Sequence, residues 1–329
     1  MGIAHAQAYA AQGAEIVGIV DSNSERANSL AQAFGAAAVG SVAQLLEMGI
    51  EGLSICLPHS LHFDVAMMAV EKRVALLIEK PHCVTLEESR ALRAAATRHG
   101  VVAMAGFTHR FLASSRKLKA AISSGRFGRI DLTVDHLIAG SLEVPAPRWY
   151  RERALAGGGI AMIGMIHSID RLRWLLDSEI TSVTALTRQS DSTCDVESTA
   201  LALLEFDSGA QASLVAHRSP VAGHERAHHY EIFGEHLNAY CTVGSFANQQ
   251  LRFVGSTDAG GETITDDQPF NTEIQAFISA LDSGNRVSPD LIDAEIALGM
   301  VLAIYESAKT RQPISTRDFI GDLSAKLQS

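Results

Sequence analysis

The chain runs to 329 residues, more than one hydrophobic core usually supports, so two domains are expected, each able to bury a core of its own. Hydrophobic residues at 47% and charged residues at 19% exclude a fibrous or largely disordered protein. The net charge of −10, with basic residues scattered along the chain, lacks the footprint of a nucleic-acid binder. The most apolar stretch, Ile160 to Ile169, is broken by Gly164 and His167 and falls short of the ~18 residues that suggest a membrane span, so no membrane partner is expected. No cleavable signal is visible. Cys56, Cys83, Cys194 and Cys241 lie far apart without a C-x-x-C pair. That suits reduced thiols in a cytoplasmic protein better than a disulfide framework or a zinc site, and no metal is expected.

The first third alternates short apolar runs with helical patterns, the texture of β-α units on a parallel sheet. Gly2 to Tyr9 (GIAHAQAY) reads as the last glycine of a phosphate-binding turn and the helix after it. Glu15 to Asp21 (EIVGIVD) reads as a strand and Ser24 to Phe34 as a helix ending at Gly35. Leu53 to Leu57 is a buried strand stopped by Pro58, and Ser60 can cap a helix reaching about Lys72. Val74 to Glu79 is another buried strand. Thr85 caps a helix to about His99, with Glu88 at the capping-box position, and Val101 to Ala105 closes the series.

Past about residue 112 the pattern shifts to longer alternating strands with hairpin signals, such as Ala200 to Phe206, then Asp207-Ser208-Gly209, then Ala210 to His217. A helix from about Ile163 to Leu176 precedes those strands, and two more follow at about 269–281 and 290–308. The expected fold is therefore α/β: a Rossmann-type parallel sheet in residues 1–112, truncated at its start, and an α+β domain in 113–329 built on an open, mostly antiparallel sheet for substrate binding and oligomerisation.

A dinucleotide-binding domain normally opens on a strand and a G-x-G-x-x-G turn that lets the backbone approach a pyrophosphate. The first strand and two of the glycines are absent here. Either the start is placed internally or the protein lacks half its phosphate cradle, and the first is expected because a missing central strand would expose two buried edges. Asp21, at the end of the second strand, can accept hydrogen bonds from both ribose hydroxyls and would repel a 2′-phosphate, which favours NAD. Its alternative is an N-cap for the helix from Ser24, and Arg26 nearby leaves NADP open.

VDSNSERA (Val20 to Ala27), CLPHSLH (Cys56 to His62) and Glu79-Lys80-Pro81, at these spacings, closely resemble the glucose-fructose oxidoreductase and inositol dehydrogenase (Gfo/Idh/MocA) family. The resemblance continues through GFTHRF (Gly106 to Phe111), Gly128-Arg129-Ile130, Trp149 and GGGIAMIGMIHSIDRLRWL (Gly157 to Leu175). It implies cofactor and substrate meeting between the domains, and dimers or tetramers formed through the outer face of the second sheet. It also implies a lysine beside the nicotinamide that binds the reacting hydroxyl and a histidine that acts as acid or base, roles that fall on Lys80 and His167. Expected cofactor neighbours are Gly2 and Ile3 at the first helix, Asp21, Asn23 and Arg26 after the second strand, Leu57, Pro58, His59 and His62 in the next loop, and Glu79 and Pro81 beside the lysine.

The residues themselves support these roles. Lys80 follows an almost purely aliphatic strand at the sheet's carboxyl end, where open α/β sheets place ligands. A neighbouring nicotinamide cation and partial desolvation would lower its pKa, and the plainer alternative is a surface lysine with a snorkelling stem. On the later helix, Met165, Ile169, Leu172 and Leu176 form the apolar stripe, while positions 163, 167, 170 and 174 form the opposite face, so His167 and Asp170 point the same way; a satisfied core histidine is the alternative.

Two positions depart from the family pattern: Ile163 stands where an acid is usual, one turn before His167, and Met165 where a glycine is typical. Asp170 is the candidate to stand in for that acid, or only to brace the structure. Arg110 and Trp149 are expected at the substrate end, with a salt bridge and a core anchor as their alternatives. His224, His228 and His229 lack regular metal-ligand spacing and read as a solvated or sheet-lining segment.

The leading reading is reversible hydride transfer between a nicotinamide and a carbinol carbon of a sugar, cyclitol or related polyhydroxy compound. The alternative is a catalytically silent regulatory protein that binds dinucleotide or sugar.

Overall fold

The computed structural model describes residues 1–329 except 141–146, 191, 222–225, 256–258, 266, 285 and 322–329, so His224 lies outside the described residues. The elements begin with α1 (Gly2–Ala11), β1 (Gly18–Ile19), α2 (Ser24–Phe34), β2 (Ala37–Ala38), α3 (Val42–Leu46), β3 (Gly52–Ile55), α4 (His62–Glu71), β4 (Ala75–Glu79), α5 (Leu86–His99) and β5 (Ala103–Gly106). They continue with α6 (Ala113–Ser123), β6 (Ile130–Ala139), α7 (Arg153–Ala156), α8 (Ile166–Leu176), β7 (Ile180–Arg188), β8 (Thr199–Phe206), β9 (Gln211–Arg218), β10 (Ala227–Gly234), β11 (Leu237–Ser245), β12 (Asn248–Gly255) and β13 (Gly260–Thr265). The last elements are α9 (Pro269–Ser283), α10 (Leu291–Thr310), β14 (Ile314–Ser315) and α11 (Thr316–Ile320). Among the described residues no helix is long and apolar enough to cross a membrane.

Two compact units result: Met1–Thr108 with Phe270–Ala294, and His109–Pro269 with the chain from Glu295. The return of 270–294 to the first unit has no sign in the sequence, because the apolar stripe of a helix does not say which sheet it covers.

In the first unit β3, β4 and β5 pair in parallel in that order, with Leu53 beside Leu76 and Leu77 beside Met104. Every residue of β4 is buried, which accounts for its unbroken apolar run. The returning segment covers this sheet: the Phe277 ring stands 3.1 Å from where a Cβ on Gly52 would be, and the Ala105 amide donates to Pro289 O at 3.0 Å. Of the strand expected over Glu15 to Asp21, only Gly18–Ile19 is regular strand, in a separate two-stranded parallel piece with β2; Val17 O also accepts from the Ala37 amide at 3.1 Å. Gly35 ends α2 at φ 68° and Thr85 and Glu88 form the capping box of α5, both as read, while the cap that starts α2 is Asn23, which accepts from Arg26 N. Ser60 does not cap α4; a 3-10 turn at His59–Leu61 leads into that helix instead.

The second unit holds a nine-stranded sheet in the order β13-β12-β11-β10-β6-β9-β8-β7-β14. All its pairings are antiparallel except β6 with β9. Alternation puts Ala200, Ala202, Leu204, Ala212, Leu214 and Tyr230 on the buried face. The helix expected from about Ile163 opens as a π-helical turn, Ala161–Met165, and continues as α8. Small residues admit this turn: a Cβ on Gly164 would meet Leu137 Cδ2 at 2.5 Å.

Candidate functional site

Lys80 follows β4, the middle strand of the parallel sheet, at its carboxyl end, and is half-buried. Neighbouring groups fix its backbone. Glu79 accepts from the Lys80 amide at 3.2 Å through Oε2, and its Oε1 lies 3.1 Å from His5 Nε2. The lysine peptide to Pro81 is cis. Gly106 on β5 lets the strands approach closely here, since a Cβ would stand a tight 3.1 Å from Glu79 Cα.

Burial would raise the Glu79 pKa, but the hydrogen bond and charge of His5, helped by Lys80, hold it below the usual range. His5 is likewise buried, which opposes its charge, yet bonds to Cys56 and Glu79 carry it well above an ordinary histidine. His5 Nδ1 also bonds to Ser54 Oγ, which bonds to the Tyr9 hydroxyl. Beside this pair, Glu273 of α9 is fully buried and takes a bond from the Thr108 hydroxyl at 3.0 Å, while its Oε1 has no partner. Burial first, and then the Glu79 charge, push Glu273 up to about 8, so it is a neutral acid at pH 7.

Glu79 is only 5% exposed and is held by His5, so it braces the lysine. His62 is fully buried, with Nδ1 2.8 Å from Pro81 O and Nε2 2.8 Å from Leu57 O. With both ring nitrogens against carbonyls, it ties the loop after β3 to the loop after β4. Burial lowers its pKa, so a neutral ring donates to one of these carbonyls at a time. His59 is also buried, its ring centroid 5.8 Å from that of His62.

At the end of β1, Asp21 is partly exposed and accepts through Oδ1 from the Asn23 amide and Arg26 Nη2, both at 2.8 Å. Burial alone would raise its pKa, but these bonds keep it lowered and ionised. The cap of α2 is Asn23, which removes the capping alternative for Asp21. Gly2 opens α1 without a side-chain cap, and a Cβ there would meet only Cys56 Cβ, at 4.0 Å; Ile3 is 61% exposed. Among the described residues, then, the carboxyl ends of the strands carry a ribose-type acceptor, an uncapped helix start and a lysine. This set fits a dinucleotide. Leu57 and Pro58, half-buried after β3, lie on the same edge.

In the second unit His167 is half-buried and stacks on His109, with ring centroids 4.1 Å apart and planes at 16°. His109 belongs to the GFTHRF motif but was not singled out from sequence. Two guanidinium groups approach it, Arg171 Nη1 at 3.4 Å from Nδ1 and Arg226 Nη2 at 3.3 Å from Nε2. Burial, then the His167 and Arg171 charges, drive its pKa well down. Arg171 is fully buried, pairs with Asp135, and lies 3.8 Å from the Tyr230 ring centroid. Asp135 also takes bonds from Ser168 and His228. His228, buried and lowered to about 4 chiefly by burial, lines the inner face of the sheet, whereas His229 is exposed and bonds to Thr242.

Arg110 and Asp170 meet each other rather than an open site. Nε reaches Oδ2 at 2.8 Å and Nη2 reaches Oδ1 at 2.5 Å, with Arg110 6% and Asp170 0% exposed. This buried pair is what the bracing alternative for Asp170 describes. Trp149 stacks on Tyr150 at 4.1 Å.

Sequence reasoning also missed Glu197. Its carboxylate takes amide bonds from Gly159 and Ala161 and the Tyr305 hydroxyl, and so anchors the turn that leads to His167. Gly158 and Gly159 make room, since Cβ atoms there would fall 2.0 Å from the Tyr305 hydroxyl and 1.9 Å from Glu197 O.

A parallel β-α unit with an acid ending one strand and a lysine ending another, joined to an open sheet backed by a histidine-bearing helix, describes a dinucleotide-binding oxidoreductase. Residues 1–107 match the oxidoreductase family with an NAD-binding Rossmann fold, and residues 115–239 match the GFO/IDH/MocA C-terminal domain. The chain belongs to the GFO/IDH/MocA oxidoreductase family. It is 29% identical to scyllo-inositol 2-dehydrogenase (NAD(+)) of Bacillus subtilis, over 82% of this chain and 79% of that protein. To 1,5-anhydro-D-fructose reductase of Ensifer adhaerens it is 27% identical, over 93% and 92%. Its fold resembles that of levoglucosan dehydrogenase solved with NADH, at a TM-score of 0.86 and 24% identity over 96% of each chain.

Proposed function

We propose that this protein is a nicotinamide-dependent dehydrogenase acting on a carbinol carbon of a sugar, cyclitol or related polyhydroxy compound, with Lys80 and His167 as catalytic residues. The observation that carries the reading is Lys80 itself, an amine placed directly after a fully buried central strand, its backbone gripped through Glu79 and Pro81. NAD, when bound, supplies the ring that accepts or returns the hydride. Lys80 binds the reacting hydroxyl oxygen and steadies the negative charge that builds on it. His167 takes the hydroxyl proton on a ring nitrogen as the carbinol C–H bond gives up its hydride, which leaves a carbonyl. Asp21 favours NAD over NADP, because its ionised carboxylate would repel a 2′-phosphate and Arg26 is already tied to it. The inositol and anhydro-sugar named for the two relatives support the substrate class.

A cytoplasmic setting suits four cysteines that are all free thiols. The outer face of the large sheet supports a homodimer or homotetramer: Leu186, Leu201 and Val215 are cross-strand neighbours on it, and Leu203 is 62% exposed.

The test is turnover of a polyol and sugar panel with NAD. Lys80→Ala should lose on the order of 10²-fold or more in kcat while still binding NADH, as expected for a group acting on the reacting atoms. Unchanged turnover in that variant overturns the role of Lys80. Tight dinucleotide binding with no turnover across the panel would instead assign the chain to silent, regulatory binding proteins.

A further inference from the structure

Among the described residues, the ion pairs around His109 leave one guanidinium without a carboxylate. Arg171 is matched by Asp135, and Arg110 by Asp170, each as a buried pair. His109 and His228 are held neutral, since both have pKa values pushed down by burial and neighbouring cations. Arg226 remains. Its guanidinium meets the His109 ring, and among the described residues no carboxylate touches it. A guanidinium does not give up its proton in a protein, so among the described residues the positive charge of Arg226 has no carboxylate partner. Arg226 as a residue is exposed, so a solute can reach it. It stands one imidazole ring away from His167, because His109 touches both. Ile163, half-buried on the face of the helix that bears His167, brings no negative charge to oppose an anion.

We propose that Arg226 binds an anionic group, a carboxylate or a phosphate, on the polyhydroxy substrate, so that the preferred substrates are sugar acids or sugar phosphates rather than neutral polyols. This rests on His167 as the group that takes the hydroxyl proton. The planar fork of a guanidinium matches either oxyanion in a two-bond contact, and the His109 ring fixes its orientation. A substrate held by its charged end at Arg226 would present a hydroxyl further along its carbon chain to His167.

Titration calorimetry of the full chain with D-gluconate, D-glucuronate and glucose 6-phosphate, against glucose and myo-inositol, tests the charge preference apart from catalysis. The anions should bind at least about tenfold more tightly than their neutral counterparts, with the preference weakening as salt is added. Arg226→Gln should abolish it, and Arg226→Lys should retain part, having the charge without the fork. The carboxylate and phosphate arms identify which oxyanion is favoured. A preference unchanged in Arg226→Gln, or absent from the wild type, overturns the proposal. Anions that bind through Arg226 without being turned over would uphold the anion site and sink the dehydrogenase assignment. Turnover of neutral polyols at or above that of the anions would do the reverse.

Discussion

Glu273→Gln should flatten the pH dependence of stability in the first unit. The carboxyl group is fully buried, bonded on one oxygen only, and beside the ionised Glu79. Its pKa rises from an ordinary 4.5 to about 8 on folding. Between those limits the folded protein holds a proton that the unfolded chain has released, so stability falls as pH increases. At about 1.4 kcal/mol per pH unit, the whole window is worth about 5 kcal/mol, of which about 3–4 kcal/mol is lost between roughly pH 5 and pH 8. His5, also raised on folding, adds a loss of the same sign above its unfolded value of 6.5. A glutamine cannot release the proton, and any cost of fitting its amide does not depend on pH. Urea unfolding followed by circular dichroism at several pH values should therefore give the variant a shallower decline. Parallel stability curves for wild type and variant from acid to mildly alkaline pH would refute the assignment of Glu273 as a buried neutral acid.

Asp170→Asn should cost about 3–5 kcal/mol and lower the thermal midpoint, because it strands the Arg110 guanidinium without its buried counter-charge. If stability is kept and only KM changes, Asp170 is a substrate group after all. Asp21→Ala should narrow the ratio of kcat/KM with NAD to that with NADP by at least about tenfold, by removing a charge that repels the 2′-phosphate; steady-state kinetics with both coenzymes will show it. Leu203→Lys should shift the protein toward smaller species in light scattering, since it places a charge in the apolar outer face; a monomeric wild type would exclude that interface.

Local signals in the sequence proved reliable where the physics is local. The capping box at Thr85 and Glu88, the αL glycine at Gly35 and the aliphatic run of β4 each depend on residues within one turn or one strand. The position of Lys80, directly after such a strand, was legible for the same reason. Contacts between distant segments were not. The pairing of Arg110 with Asp170 spans 60 positions, and that of Arg226 with His109 spans 117. No periodicity encodes either, and an isolated arginine in a loop looks like any solvated charge. The motif around His62 marks a loop without saying which way the ring turns, so its contacts with Pro81 and Leu57 could not be read from it. The shortening of the first strand to Gly18–Ile19 likewise depends on a neighbour, since a strand extends only as far as partners accept its amides.

The anchor at Glu197 bears on how this scaffold can change its preferences. It grips the main chain of Gly159 and Ala161, not their side chains, and so fixes where the histidine-bearing helix begins whatever residues follow. The two glycines beneath it are locked by contact, but position 163 is held by neither amide bond. Identity there can drift without dislodging His167, so the helix start stays constant while the side chain one turn before it is rewritten.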